Sequence, residues 1–165
     1  MSLTAKNVAL NLGYYAVTVA LLPWALLVME RHLGIVWRPS LVLRTLGALI
    51  GLIGAALQLW CIVLFQRVGG GTPSPALPPE RLVVAGPYRW VRNPMNLGEL
   101  LVLLALAAWF ASSLLVAYAA AAWLAFHTFV AGWEEPRMAR RFGDDYARYR
   151  QAVGRWIPMP GRWTG

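Results

Sequence analysis

Charge is scarce in this chain. Only 13% of its 165 residues are Asp, Glu, Lys or Arg, while 59% are hydrophobic. Soluble domains run nearer 25% charged and about 45–50% apolar, and a chain this short has too little interior to hide the excess. An ordinary soluble domain is therefore excluded. Acid is scarcest of all: 7 Asp+Glu stand against 15 Lys+Arg, a formal net charge of +8. That surplus points to nucleic acid, an anionic membrane surface or an anionic ligand, and the hydropathy favours the last two. A single cysteine, Cys61, excludes an internal disulfide and any multi-cysteine zinc site. No metal centre is expected, and no internal repeat is visible.

What the chain has instead is long apolar runs. They cover Val8–Met29, Leu41–Phe65, Leu97–Phe110 and Leu114–Trp133. The first, second and fourth reach the roughly 20 residues that cross about 30 Å of hydrocarbon as helix. The third is short and reads as a half-span or a span starting nearer Pro94, and only Ala111, Ser112 and Ser113 separate it from the fourth. The expectation is one all-α integral membrane helical bundle over 1–165. It has about four transmembrane helices, near 8–29, 41–65, 95–111 and 113–133, followed by C-terminal amphipathic interfacial helices.

The cations set the orientation. With the N-terminus inside, the inner face holds Lys6, Arg67, Arg81, Arg89, Arg92, Arg137, Arg140, Arg141, Arg148, Arg150, Arg155 and Arg162. Only Arg31, Arg38 and Arg44 lie outside. The positive-inside rule favours cytosolic termini, in the plasma membrane for a prokaryotic chain. The first run is long, contains Pro23 and lacks a small-x-small cleavage site, so it reads as a retained anchor rather than a signal peptide. Gly47, Gly51 and Gly54 let another helix approach the second span closely, within the bundle or across a dimer. The sequence leaves the oligomeric state open.

Two polar segments carry the chemistry. The first, 67–96, opens with Gly69–Gly71 and prolines at 73, 75, 78 and 79, which forbid a helix. It closes on Gly86-Pro87-Tyr88-Arg89-Trp90-Val91-Arg92-Asn93-Pro94. Composition alone allows a juxtamembrane anchor there. In the second, 134–158, Met138, Phe142, Tyr146, Tyr149 and Val153 form an apolar stripe opposed by arginines. Gly143-Asp144 reads as a helix end and a fresh N-cap, giving two short helices at the inner surface. Glu134 and Glu135 sit where a span meets the interface and need an offsetting charge, from Arg89 and Arg92 or from a bound cation. Glu99, one turn into the third span, is an intramembrane carboxylate and so a candidate catalytic group. His127, Gln58 and Cys61 read as packing or interhelical bonding.

These residues resemble the isoprenylcysteine carboxyl methyltransferase and phospholipid methyltransferase superfamily. Two runs carry the resemblance: GPYRWVRNPMNLG before a helical hairpin, and EEPRMARRFGDDYARYRQAVGRWIP after it. It covers 82–158 and includes Phe142-Gly143, Tyr146, Tyr149 and Ile157-Pro158. It implies a membrane enzyme using S-adenosyl-L-methionine. By position, the cofactor residues are Gly86, Pro87, Tyr88, Arg89, Arg92, Asn93, Pro94, Glu134, Glu135, Tyr146 and Tyr149, with Arg92, Asn93 and Glu99 as the catalytic set. The family's usual His is Asn93 here. Asparagine replaces one hydrogen bond of histidine but carries no proton near neutral pH.

The chemistry suits such a ligand. Arginine forks onto a carboxylate, glutamates accept from ribose hydroxyls or an ammonium, and aromatics face a cation. The acceptor would be a membrane lipid or a lipophilic small molecule, with an isoprenylcysteine-like carboxylate or a lipid headgroup both open and nucleic acid excluded. The run Arg92-Asn93-Pro94-Met95-Asn96-Leu97-Gly98-Glu99 also resembles NADPH-dependent membrane sterol reductases, and a non-catalytic scaffold is the remaining alternative.

Overall fold

The computed structural model describes residues 12–35, 38–68 and 81–159. Residues 8–11 of the first apolar run, the Gly69–Gly71 and proline stretch, Lys6 and Arg162 lie outside the described residues. The architecture is all-helical. Helix α1 covers Leu12–His32, α2 Leu41–Val68, α3 Pro94–Phe110, α4 Ser113–Phe129 and α5 Glu135–Ala152. A 3-10 turn spans Gly86–Arg89. Three stretches are long and apolar enough to cross a membrane: Leu12–His32, Leu41–Phe65 and the helix that starts at Ser113. The apolar part of that last helix ends at Trp133. The third run forms α3, which starts at Pro94. Its 17 residues at about 1.5 Å each make it the short one.

Leucines and aromatics stand exposed along these helices: Leu49, Leu52, Ile53, Leu59 and Trp60 on α2, Trp123 and Leu124 on α4. In water such a surface would aggregate. In hydrocarbon it is solvated by lipid. The protein is an integral membrane helical fold.

Two turns are wider than α-helical. Ala16–Leu21 and Val130–Glu134 are π-helical, and each wide turn ends just before a proline. Leu22 N–H reaches back to Val17 O ahead of Pro23, and Glu135 N–H to Val130 O ahead of Pro136. Proline lacks the N–H and its ring crowds the carbonyl four residues back, so the preceding turn opens. The second wide turn joins α4 to α5 without a break.

The chain divides into two compact units. One contains 1–55 and 99–122, the other 56–98 and 123–165. In the first, polar side chains tie α1 to its neighbours. Tyr14 Oη and Thr18 Oγ1 donate to Glu99 at 3.3 and 3.1 Å. Tyr118 Oη donates to the Thr18 carbonyl at 2.9 Å. Glu30, only 4% exposed, accepts from Ser113 Oγ at 2.8 Å and the Leu114 N–H at 3.1 Å, so the end of α1 caps the start of α4. A Cβ on Gly47 would stand 3.0 Å from the Ala105 carbonyl, and one on Gly51 3.1 Å from the Ala105 side chain. The small residues of α2 thus serve packing against α3 within the chain.

In the second unit the loop after α2 and helix α5 hold each other. Cys61, Val83 and Tyr88 bury together with Leu57, Leu64, Phe65 and Met95 around them. Tyr146, Tyr149 and Val153 bury against Leu82, Val84, Met138 and Phe142. The apolar stripe of α5 therefore packs on the loop 82–84. Gly143 breaks α5 at φ 51°, ψ −126°, where the sequence places the boundary between two short helices.

Candidate functional site

The loop 85–93 has little regular structure, and contacts to two other segments fix its shape. Gly86 takes a positive φ of 53°, and a Cβ there would press into Leu64 and Trp60 of α2. Glycine is required both for the turn and for the close approach. From this turn Tyr88 runs inward, its ring edge-on to Phe65 and its carbonyl accepting from Tyr149 Oη at 2.7 Å. Burial first, then the neighbouring Cys61, hold the Tyr88 phenol well above its ordinary pKa. Tyr88, Pro87, Pro94, Tyr146 and Tyr149 are all buried, which makes them the frame of the loop.

The C-terminal segment straps the same loop from the other side. Val91 bridges in parallel to Gly154, and the Arg92 N–H donates to the Gly154 carbonyl at 2.8 Å. Asn93 Nδ2 donates to the Arg155 carbonyl at 3.3 Å. A histidine N–H could donate that bond equally well.

Glu135 lies at the centre, 5% exposed. Arg155 forks onto it, Nε to Oε1 and Nη2 to Oε2, both at 2.8 Å. Arg92 Nη1 stands 3.0 Å from Oε1, within ion-pair reach but out of line for a hydrogen bond. Burial pushes the Glu135 pKa up, but the Arg155 hydrogen bonds and the charges of Arg92, Arg155 and Arg150 outweigh it and hold the carboxyl below its ordinary range. Glu134 shifts the other way: burial and then the Glu135 charge raise it. Among the described residues nothing hydrogen-bonds the Glu134 carboxylate. The adjacent acids thus have opposite environments, one locked in a charge triad and one available.

Arg92 is the second open group. Its guanidinium is buried, and Nε and Nη1 have no hydrogen-bond partner among the described residues. A buried donor left unmade is costly; Nη1 keeps its ion-pair contact with Glu135, and Tyr146 lies against the same side chain.

The sequence-predicted set divides accordingly. Arg92, Asn93, Glu134, Glu135, Tyr146 and Tyr149 come together with the 86–94 loop. Arg89 does not meet either glutamate; its Nε points to the Val84 carbonyl at 3.4 Å. Glu99 belongs to the other unit, where Tyr14 and Thr18 hold it. His127 accepts from Trp156 Nε1 at 3.2 Å and stacks near Trp123 and Trp156, the bundle role expected of it. Gln58 Nε2, expected to bond between helices, is buried without an acceptor among the described residues.

Arg155 escaped the sequence reading, where it counted only as an inner-face cation. Nothing in the sequence sets it apart from the other arginines of the tail. Glu30 escaped as well, because its partners at 113–114 are far away in sequence.

Comparison with known proteins places the fold and the family. The fold is similar to that of the eukaryotic intramembrane Ras methyltransferase ICMT (isoprenylcysteine carboxyl methyltransferase), with a TM-score of 0.62 and 24% identity over 89% of this chain. The match takes in 53% of that chain, so this protein spans about half the length of the ICMT structure. An uncharacterized protein of Haemophilus influenzae is 38% identical over 63 residues, which are 38% of this chain and the whole of that protein. Residues 42–145, from α2 through the strapped loop to Asp145, match the phospholipid methyltransferase family. With α2, α3, α4 and most of α5 inside that match, which takes in well over half of the chain, the chain belongs to the phospholipid methyltransferase family.

Proposed function

We propose that this chain transfers a methyl group from S-adenosyl-L-methionine to a membrane-partitioned acceptor at the cytosolic face. The observation that carries this reading is the buried Arg92 guanidinium, whose Nε and Nη1 lack hydrogen-bond partners among the described residues. A carboxylate is the natural complement of those donors, and the cofactor's amino-acid tail bears one. The donor set suits the rest of that molecule too, so the residues present fit the group. Arg92 would hold the carboxylate. Glu134, with no hydrogen bond of its own among the described residues, would accept from the ammonium or the ribose hydroxyls. Bound there, the cofactor supplies an electrophilic methyl group on a sulfonium.

The chain's own part is alignment and exclusion of water. Arg155 keeps Glu135 ionised and fixed, and Glu135 in turn sets the position of Arg92. Gly154, through the Arg92 N–H, sets the backbone. Asn93 spends its amide on the Arg155 carbonyl and carries no proton, so a base at that position is not part of the mechanism. An acceptor that is already anionic, such as an isoprenylcysteine-like carboxylate, needs none. A lipid amine would have to arrive deprotonated.

The test is a titration of the purified, detergent-solubilised chain with S-adenosylhomocysteine and, separately, with NADPH, following the melting temperature. Ligand at 100 times its dissociation constant adds about 2.7 kcal/mol. Stabilisation by S-adenosylhomocysteine alone is expected. A response to NADPH alone would make the protein a reductase, and a response to neither would make it a scaffold.

A further inference from the structure

Three cations run against the positive-inside trend: Arg31, Arg38 and Arg44. Two of them, Arg31 and Arg44, line one open cavity of about 250 Å³. That is several times the roughly 30 Å³ a water molecule occupies in the liquid. Leu27, Ile35, Pro39, Trp109 and Phe110 make an apolar wall beside them. Trp109 and Phe110 are partly exposed at the end of α3, as aromatic residues of a headgroup belt are.

The charges there are unspent. Among the described residues, neither Arg31 nor Arg44 takes part in an ion pair. Glu30 also lines the cavity, but its Oε1 is engaged by Ser113 and the Leu114 N–H, and the residue is buried. Arg31 sits in the last turn of α1, where a cation suits the helix dipole. Arg44 sits in the first turn of α2, where the dipole disfavours a cation, as does the apolar run around it. A charge placed against both preferences calls for an anion.

We propose that this cavity binds the phosphate of an anionic membrane lipid. The two guanidinium groups would fork onto the phosphodiester, and the apolar wall would take the glycerol and first acyl carbons. A lipid fits better than free phosphate because half the lining is apolar and both arginines lie at the ends of membrane-spanning helices. The site shares no residue with the Arg92–Glu135–Arg155 cluster, so it stands independently of the cofactor reading.

The experiment offers the full chain, purified in mild detergent, an equimolar mixture of phosphatidylglycerol and phosphatidylcholine. Lipid retained through gel filtration is counted by mass spectrometry. The wild-type chain should retain phosphatidylglycerol preferentially. Arg31→Gln and Arg44→Gln should each cut that retention by about fivefold, the scale of one headgroup-facing arginine, with melting in phosphatidylcholine alone unchanged. Arg44→Lys should fall between, having the charge but not the fork. If Arg31→Gln does not fold, Arg44→Gln alone reads the same loss. Equal retention by wild type and variants would overturn the proposal. So would displacement of the lipid by matched concentrations of inorganic phosphate, which would make the ligand a soluble anion.

Discussion

Glu135 and Arg92 face one another, yet removing them should not cost the same. Glu135 is shared by two guanidinium groups, so Glu135→Gln leaves Arg92 and Arg155 buried or half-buried with no counter-charge. Breaking a buried pair by removing one partner costs about 3–5 kcal/mol. Arg92→Gln leaves Glu135 still forked by Arg155 and should cost less, about 1–3 kcal/mol. Melting curves of both variants check the order, and a larger loss in Arg92→Gln would contradict the triad. The pH dependence has a definite sign. Because Glu135 is held below its ordinary range, its contribution is complete above about pH 4.3, the unperturbed glutamate value. It fades as pH falls through the lowered value. The stability gap between wild type and Glu135→Gln should therefore be constant from neutral pH to about 5 and close in stronger acid. Glu134, raised rather than lowered, loses folding stability as pH rises through its window, and a Gln there should not destabilise at neutral pH. The sequence placed Glu135 and Arg92 in one site because both flank a short hairpin. It could not show that Arg155 holds Glu135, since a lone cation in a tail with seven inner-face arginines carries no positional signal.

At the scale of elements, two glycines separate two kinds of constraint. Gly143 interrupts α5 at a positive φ with nothing within 4 Å of a would-be Cβ. Gly143→Ala should therefore cost backbone strain alone, about 1–3 kcal/mol. Gly86 carries the same strain plus a collision with Leu64 and Trp60, so Gly86→Ala should cost more and should also disturb the 86–94 loop. Thermal melting of the two variants, with S-adenosylhomocysteine binding as the second readout, distinguishes them. Equal losses, or lost binding in Gly143→Ala only, would contradict this placement. The break at Gly143 and the stripe of α5 were legible as glycine followed by Asp and as helical periodicity. The wide turns before Pro23 and Pro136 were not, because a proline in a membrane helix can be met by a kink, a wide turn or a break. The packing of the α5 stripe on Leu82 and Val84 was also hidden, because periodicity says that a face is buried and not what buries it.

For the whole molecule, scarcity of charge was the most informative property. It made the chain a membrane protein before any motif was read, and the helices, the exposed leucines and the family match agree. The spans were legible because hydrocarbon demands about 20 apolar residues. The shortness of the third was legible too, and α3 has 17 residues. The grouping of residues was less so. Glu99 reads as a neighbour of Arg92 along the chain, but its hydrogen bonds go to Tyr14 and Thr18, and no linear pattern links a residue at 99 to one at 14. The most direct test of the central claim is incorporation of a radiolabelled methyl group from S-adenosyl-L-methionine into a membrane-lipid and lipopeptide extract by the purified chain, with Arg92→Gln alongside. The account predicts label in an organic-soluble product with the wild-type chain and a loss of at least about tenfold in a folded Arg92→Gln, the factor that 1.36 kcal/mol at the barrier gives. Equal labelling by both proteins, or no labelled product from a folded wild-type chain, would contradict it.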